Sequence, residues 1–298
     1  MPPSGLSTTG RWRIISPIRP GSAERSQDIK RSVSPPEAGP RYFRRLGELR
    51  GSLFGYTEIL AERLLARRPS YETVRWEGAL DDLGARFGNV AGVLEEPALR
   101  EVEERTRTLL ADIRRDDTYT LHWAADSLLA RLCYLVCRLI QPQTVVETGV
   151  AYGVSSAYIL SALEANGGGT LYSVDLPPPR RSYERFWGVA VQDGLRGRWR
   201  LHRGTSASVL PRLLKEIPTV DLFVHDSLHT QRNMRREFET VWPNLGDGAV
   251  LLADDVERNQ AFGELRQKDP TLWRVVADRE TSPLHGRAAP VVFGVAVK

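Results

Sequence analysis

The feature that most constrains this chain is a change of texture at Pro142. Beyond it, the short β-branched runs Thr144–Glu147, Thr170–Asp175, Val220–His225 and Ala249–Ala253 alternate with helical patterns at Ser155–Ala165, Ser206–Glu216 and Asn233–Trp242. Strand, helix, strand in repetition predicts βαβ units, and hence an α/β fold with a mostly parallel sheet covered on both faces. Trp199–His202 reads as a further strand. Two last runs, Trp273–Ala277 and Val291–Val297, predict an antiparallel finish.

Upstream the period is helical. Leu46, Leu49, Leu53, Ile59, Leu60, Leu64 and Leu65 recur at three- and four-residue steps, and Pro97–Arg115 opens on Glu95 and Glu96 and closes on Arg114 and Arg115. A further helix is expected from about Tyr119 to Ile140, stopping ahead of Pro142. Residues 1–40 differ from all of this, with seven Pro, seven Ser and almost no periodic apolar residues. They read as a disordered tail, because such a composition cannot offset its own ordering entropy. The expected organisation is therefore a tail over 1–40, a helical region over 41–118 and an α/β domain over 119–298.

Composition excludes several classes. With 41% apolar and 26% charged residues the chain as a whole is not disordered. The net charge is +4, and residues 1–40, with six basic and three acidic side chains, hold most of it, so a nucleic-acid partner is disfavoured despite a pI near 9.2. Cys133 and Cys137, alone and at i, i+4 spacing in an apolar run, read as core filling in a reducing, cytoplasmic setting. No stretch approaches the roughly 18 apolar residues of a membrane span, and the start lacks the apolar region of a secretory signal.

In an open parallel sheet, ligands sit outside the carboxyl ends of the strands. The first strand ends in Glu147-Thr148-Gly149-Val150-Ala151-Tyr152-Gly153-Val154-Ser155, where Gly149 and Gly153 permit a tight turn and close backbone approach to a ligand. Asp175 ends the next strand, 26 residues after Gly149, placed to accept hydrogen bonds from two ribose hydroxyls. A nicotinamide fingerprint starting at Gly149 would need glycine at positions 151 and 154, which are Ala151 and Val154. The pattern present is E-x-G-x-x-x-G.

These residues, with Asp226 after the fourth strand and Asp254-Asp255 after the fifth, resemble a class I S-adenosylmethionine-dependent methyltransferase. The runs Val224-His225-Asp226-Ser227-Leu228-His229-Thr230 and Trp242-Pro243-Asn244-Leu245-Gly246-Asp247-Gly248-Ala249 are similar to the small-molecule and sugar O-methyltransferase branch. The resemblance spans about residues 120–298. It implies a Rossmann-like three-layer sandwich around a seven-stranded sheet whose last strand is antiparallel. By carry-over, Gly149, Gly153 and Ser155 would hold the methionine part of S-adenosylmethionine, with Glu147 at the base of that pocket. Asp175 would take the ribose, the turn with Thr205 and Ser206 would border the adenine, and Asp226 would face methyl donor and substrate.

Asp226, Asp254 and Asp255 are hard oxygen ligands at adjacent strand ends, suited to a Mg²⁺ that would bind and acidify a substrate hydroxyl. Catechol-type O-methyltransferases use a comparable arrangement, usually with Asn where this chain has Asp255. His229, three residues past Asp226, is the candidate general base; a hydrogen-bonding or metal-shell role is its alternative. Arg232, Arg235 and Arg236 read as a solvated helix face paired with Glu237 and Glu239. Tyr119, Trp123 and Phe186 are candidate pocket walls, with core burial the alternative. The expected function is O-methylation of a small molecule; N-methylation, nucleic-acid methylation and non-catalytic cofactor binding are the rivals. The N-terminal helices could serve as a substrate lid, a homo-oligomer interface or a scaffold.

Overall fold

Eight strands form one sheet: β1 (Thr73–Val74), β2 (Thr144–Thr148), β3 (Thr170–Asp175), β4 (Trp199–Arg203), β5 (Val220–His225), β6 (Leu245–Asp254), β7 (Leu272–Arg279) and β8 (Pro290–Val297). Their order is β1-β7-β8-β6-β5-β2-β3-β4. The computed structural model describes residues 68–116, 125–178, 181–279 and 290–298 with Thr57 and Glu62, all within the compact unit Gly39–Lys298. The tail expected over 1–40, most of the Leu46 to Leu65 pattern, and Tyr119 and Trp123 lie outside these residues.

Strand β8 runs antiparallel to both β6 and β7, and every other pairing is parallel. The predicted antiparallel finish is therefore present. Seven strands were expected and eight are found, the addition being β1, which pairs with β7 through Thr73↔Val275. Two residues carry no readable period, so a strand this short inside a helical stretch escapes pattern reading. Strand β2 sits between β3 and β5, and the chain winds outward to β4 before returning to β5. In an open parallel sheet such a reversal is where a ligand crevice forms, here over the carboxyl ends of β2 and β5.

Eight α-helices are described: α1 (Trp76–Phe87), α2 (Val90–Leu94), α3 (Pro97–Asp116), α4 (Ser127–Ile140), α5 (Val154–Asn166), α6 (Ser206–Glu216), α7 (Gln231–Val241) and α8 (Ala261–Glu264). Alternate residues of the central strands feed two cores, as a period of two demands. Val145, Leu222, Val224, Val250 and Leu252 join α1 to α5 on one face. Val146, Phe223, Leu251 and Ala253 join α6 and α7 on the other. The three layers follow directly. Cys133 and Cys137 are fully buried in α4, and burial pushes both thiols up, in keeping with a packing role.

Between β3 and β4 the described chain forms short 3-10 turns, Arg181–Phe186 and Asp193–Arg198, in place of a covering helix. Pro177 and Pro178 at one end, with Gly188, Gly194 and Gly197 inside, break helical propagation there. Among the described residues, no helix is long and apolar enough to cross a membrane.

Candidate active site

The turn after β2 is shaped by three residues with positive φ, Gly149 (89°), Ala151 (45°) and Gly153 (77°). A Cβ at Gly149 would lie 1.8 Å from the Asp226 carbonyl oxygen, and one at Gly153 would lie 2.9 Å from the Gly188 Cα. Both glycines are thus required by neighbouring backbone within the protein itself. The Asp226 N–H donates to the Thr148 carbonyl at 2.8 Å, so the Gly149 turn and the loop after β5 touch along their main chains.

Glu147 lies beneath this turn, fully buried. It accepts hydroxyls from Ser155 at 2.5 Å, Ser156 at 2.6 Å and Ser173 at 2.7 Å. Burial pushes its carboxyl up to about 6 against the lowering effect of these three donors. The Ser155 hydroxyl, read as a methionine contact, points inward to Glu147 and is 1% exposed. What the start of α5 offers to a ligand is therefore backbone rather than this hydroxyl.

Asp175, at the end of β3, is already engaged. Its Oδ2 accepts the Trp187 indole N–H at 2.8 Å and the Ala151 N–H at 3.1 Å, and its Oδ1 accepts the Leu176 N–H at 2.8 Å. Burial raises its pKa, opposed first by the indole. Trp187 went unread in the sequence, since nothing local ties position 187 to position 175. Thr205 caps α6 by accepting the Ser208 N–H at 3.3 Å, and Ser206 reaches Asn233 at 3.3 Å. Both residues follow β4 directly, and their hydroxyls serve the protein. Phe186 is half-buried, 6.3 Å from the Tyr152 ring, with the Arg185 guanidinium over its face.

Across the crevice, one ligand atom each from Asp226, His229 and Asp254 falls within 4.8 Å of the others. The triplet differs from the expected one. Asp255 takes a left-handed φ of 51° and turns away to accept His229 Nδ1–H at 3.0 Å and Arg258 at 2.7 Å. His229 Nε2 lies 3.6 Å from Asp226 Oδ1. His229 Nε2 and Asp254 Oδ1 are both buried without a hydrogen-bond partner. Burial, then the charges of Asp255 and Glu147, raise Asp226 well above the carboxylate range; burial, then Asp226 and Asp255, do the same to Asp254. Burial alone would raise Asp255, but the hydrogen bond and charge of His229, with the charges of Arg258 and His225, together hold it low. Burial lowers the pKa of His229, which favours the neutral ring. A divalent cation fits this donor set, two carboxylates and an imidazole whose other nitrogen is fixed by a carboxylate.

One buried acid escaped the sequence reading. Glu237 of α7, 1% exposed, does not pair with arginines on a solvated face. It accepts Thr148 Oγ1 at 2.6 Å, His225 Nδ1 at 2.7 Å, and Ser227 Oγ and Asn233 Nδ2 at 2.9 Å each. Arg235 instead binds Glu264 of α8, at 2.6 Å through Nε, and Arg236 contacts Asn233. The missed signal was spacing: Met234, Phe238 and Val241 mark the inward stripe of α7, and Glu237 lies within it.

Residues 146–256 match the model of a family described as a methyltransferase domain. No curated protein matches the chain significantly. Among solved structures, the O-methyltransferase from Bacillus cereus in complex with SAH is 14% identical, with a TM-score of 0.47 over 75% of this chain and 98% of that one. The O-methyltransferase TomG from Streptomyces achromogenes, involved in tomaymycin synthesis and in complex with SAM, is 18% identical, with a TM-score of 0.47 over 76% of this chain and 99% of that one. The carboxyl ends of β2, β3, β5 and β6 all lie inside the matched segment.

Proposed function

We propose that the chain transfers a methyl group from S-adenosylmethionine to a hydroxyl of a small molecule, such as a sugar or a secondary metabolite. The observation that carries this reading is the convergence, within one matched domain, of the Gly149 turn, Asp175 and the Asp226–His229–Asp254 group at neighbouring strand ends. S-adenosylmethionine supplies an electrophilic methyl group on a sulfonium. On this reading, the turn from Gly149 to Gly153 and the backbone at Ser155 hold its methionine end, with Glu147 beneath. Asp175 holds the ribose, and Thr205 and Ser206 border the adenine.

The residues of the chain then have two tasks, alignment and proton removal. Methyl transfer is an in-line displacement, so fixed geometry supplies much of the rate. Asp226 faces the reacting centre. His229 accepts the hydroxyl proton at Nε2, because its Nδ1–H is committed to Asp255 at 3.0 Å and burial keeps the ring neutral.

A second reading is favoured by the partnerless buried atoms His229 Nε2 and Asp254 Oδ1. Asp226, Asp254 and His229 would hold Mg²⁺, with Asp255 acting through His229 rather than as a ligand. The cation would supply positive charge that acidifies a hydroxyl and relieves the crowded carboxylates. The two roles of His229 use the same lone pair and exclude one another. Turnover undiminished by EDTA, with no metal by elemental analysis, selects the base.

The primary test is isothermal titration with S-adenosylmethionine and S-adenosylhomocysteine, with and without Mg²⁺, beside Asp175→Ala. Micromolar binding that weakens at least about tenfold in the variant is expected, since a hydrogen bond to a charged group contributes about 1.5–3 kcal/mol. Absence of binding by the wild type would overturn the proposal.

A further inference from the structure

We infer that Glu237 is a positioning residue, which registers the loop bearing Asp226 and His229 against the Gly149 turn by binding donors from both. The inference rests on the proposed methyltransferase site and adds a residue to it. Glu237 reaches the end of β2 through Thr148, at 2.6 Å, one residue before Gly149. It reaches the end of β5 through His225 at 2.7 Å and the loop that follows through Ser227 at 2.9 Å, on either side of Asp226 in sequence.

The remaining contacts stiffen this link. Asn233 Nδ2 donates to Glu237 at 2.9 Å, to the Leu228 carbonyl at 2.9 Å and to Ser227 Oγ at 3.1 Å, so the middle of the loop is held through the same carboxylate. The His225 ring stands edge-on to the His229 ring, with centroids 5.3 Å apart. A movement of His225 therefore displaces the imidazole that faces Asp226. The far end of the loop has a separate anchor, since Asn259 Nδ2 donates to the His229 carbonyl at 3.2 Å. Loss of the Glu237 link should accordingly loosen the loop while it remains attached.

Charge is what lets one side chain serve both loops. Burial alone would push the Glu237 carboxyl up, but the charge and hydrogen bond of His225, with Ser206 and Thr148, bring it to about 2. An ionised carboxylate is acceptor-only and can satisfy donors on both oxygens. An amide presents an NH₂ group toward one pair of those donors and cannot.

The test compares Glu237→Gln with Val241→Ala, a packing change on the same helix remote from both loops, in the 298-residue chain. Amide hydrogen exchange, S-adenosylhomocysteine affinity and the electron paramagnetic resonance of added Mn²⁺ are read alongside thermal stability. For Glu237→Gln, exchange should rise at least about tenfold at 226–230 and not in β3 or β4. S-adenosylhomocysteine affinity should stay within about threefold of wild type, and Mn²⁺ binding should weaken at least about tenfold, because a displaced outer partner costs roughly 10- to 100-fold in metal affinity. Val241→Ala should lower stability and change none of these locally. Ser227→Ala, a milder cut of the same link, should give a smaller rise at 226–230 and serves where Glu237→Gln does not fold. Exchange that rises evenly through α7 and the sheet, or that does not rise at 226–230, overturns the inference. A wild type that binds no S-adenosylhomocysteine or no Mn²⁺ defeats the proposed function or its metal reading, while the exchange comparison still decides the role of Glu237.

Discussion

Glu147 and Glu237 are both buried to 1% exposure or less, each ringed by hydroxyl donors, on opposite faces of the sheet. Yet burial pushes the first up to about 6, while the second is brought down to about 2. The largest effect opposing burial at Glu237, and one that Glu147 lacks, comes from an imidazole. Three serine hydroxyls do not offset the desolvation of Glu147, whereas His225 adds charge and a short hydrogen bond that do so for Glu237. The side of the site that would hold cofactor rests on a carboxyl that titrates near the physiological range, and the side that bears Asp226 and His229 rests on a fixed anion.

The contrast is most easily broken by deletion. Glu237→Ala should cost about 3–5 kcal/mol in urea unfolding, because Thr148, Ser227 and the His225 imidazole all lose the buried carboxylate that accepts from them. Glu147→Ala should cost less, about 1–3 kcal/mol, since it also removes a carboxylate that burial penalises. Equal losses would mean that His225 contributes nothing distinctive.

Acid titration comes next in size. The folded-state pKa of Glu237 lies below its ordinary 4.5, so its stabilisation, about 3 kcal/mol, is fully present above that value. It is lost as pH falls from about 4.5 through about 2, and Glu237→Gln should remove that part of the acid limb. Glu147 has the opposite sign. Its folded-state pKa lies above 4.5, so raising the pH from about 4.5 to about 6 costs about 2 kcal/mol, and Glu147→Gln should flatten the stability profile across that window. A profile unchanged by both substitutions would erase the distinction.

The smallest effect concerns Trp187, whose indole takes one lone pair of Asp175 at 2.8 Å. Trp187→Phe vacates that position, and S-adenosylhomocysteine should bind about threefold more tightly, on the scale of one modest hydrogen bond. Unchanged affinity would indicate that indole and ribose do not compete for the same oxygen.

What the sequence disclosed follows from period. The strands after Pro142 were legible because buried parallel strands are continuous apolar runs broken by helical spacing, and their polar ends stand out as Glu147, Asp175, Asp226 and Asp254. Single-residue geometry was not legible. The left-handed backbone at Asp255 turns its side chain to His229, and this exchanged the predicted Asp226–Asp254–Asp255 set for one with His229 in it. Long-range partners were equally hidden, as with Trp187 on Asp175 and the Glu62 carboxylate on the Gln231 N–H at 2.7 Å. Glu237 was legible in principle, but the neighbouring arginines suggested a solvated face where the apolar stripe of α7 required a buried one.

The two borders of the sheet carry a further consequence. On one side the two-residue β1 covers β7, and on the other β4 presents Arg200, exposed, and Arg203, half-buried and paired with Glu184 at 3.4 Å. A strand of another molecule seeking main-chain hydrogen bonds meets a stub at one border and guanidinium groups it would have to strip of water at the other. Among the described residues, both borders are thereby poor templates for accretion of β-structure and fibre growth.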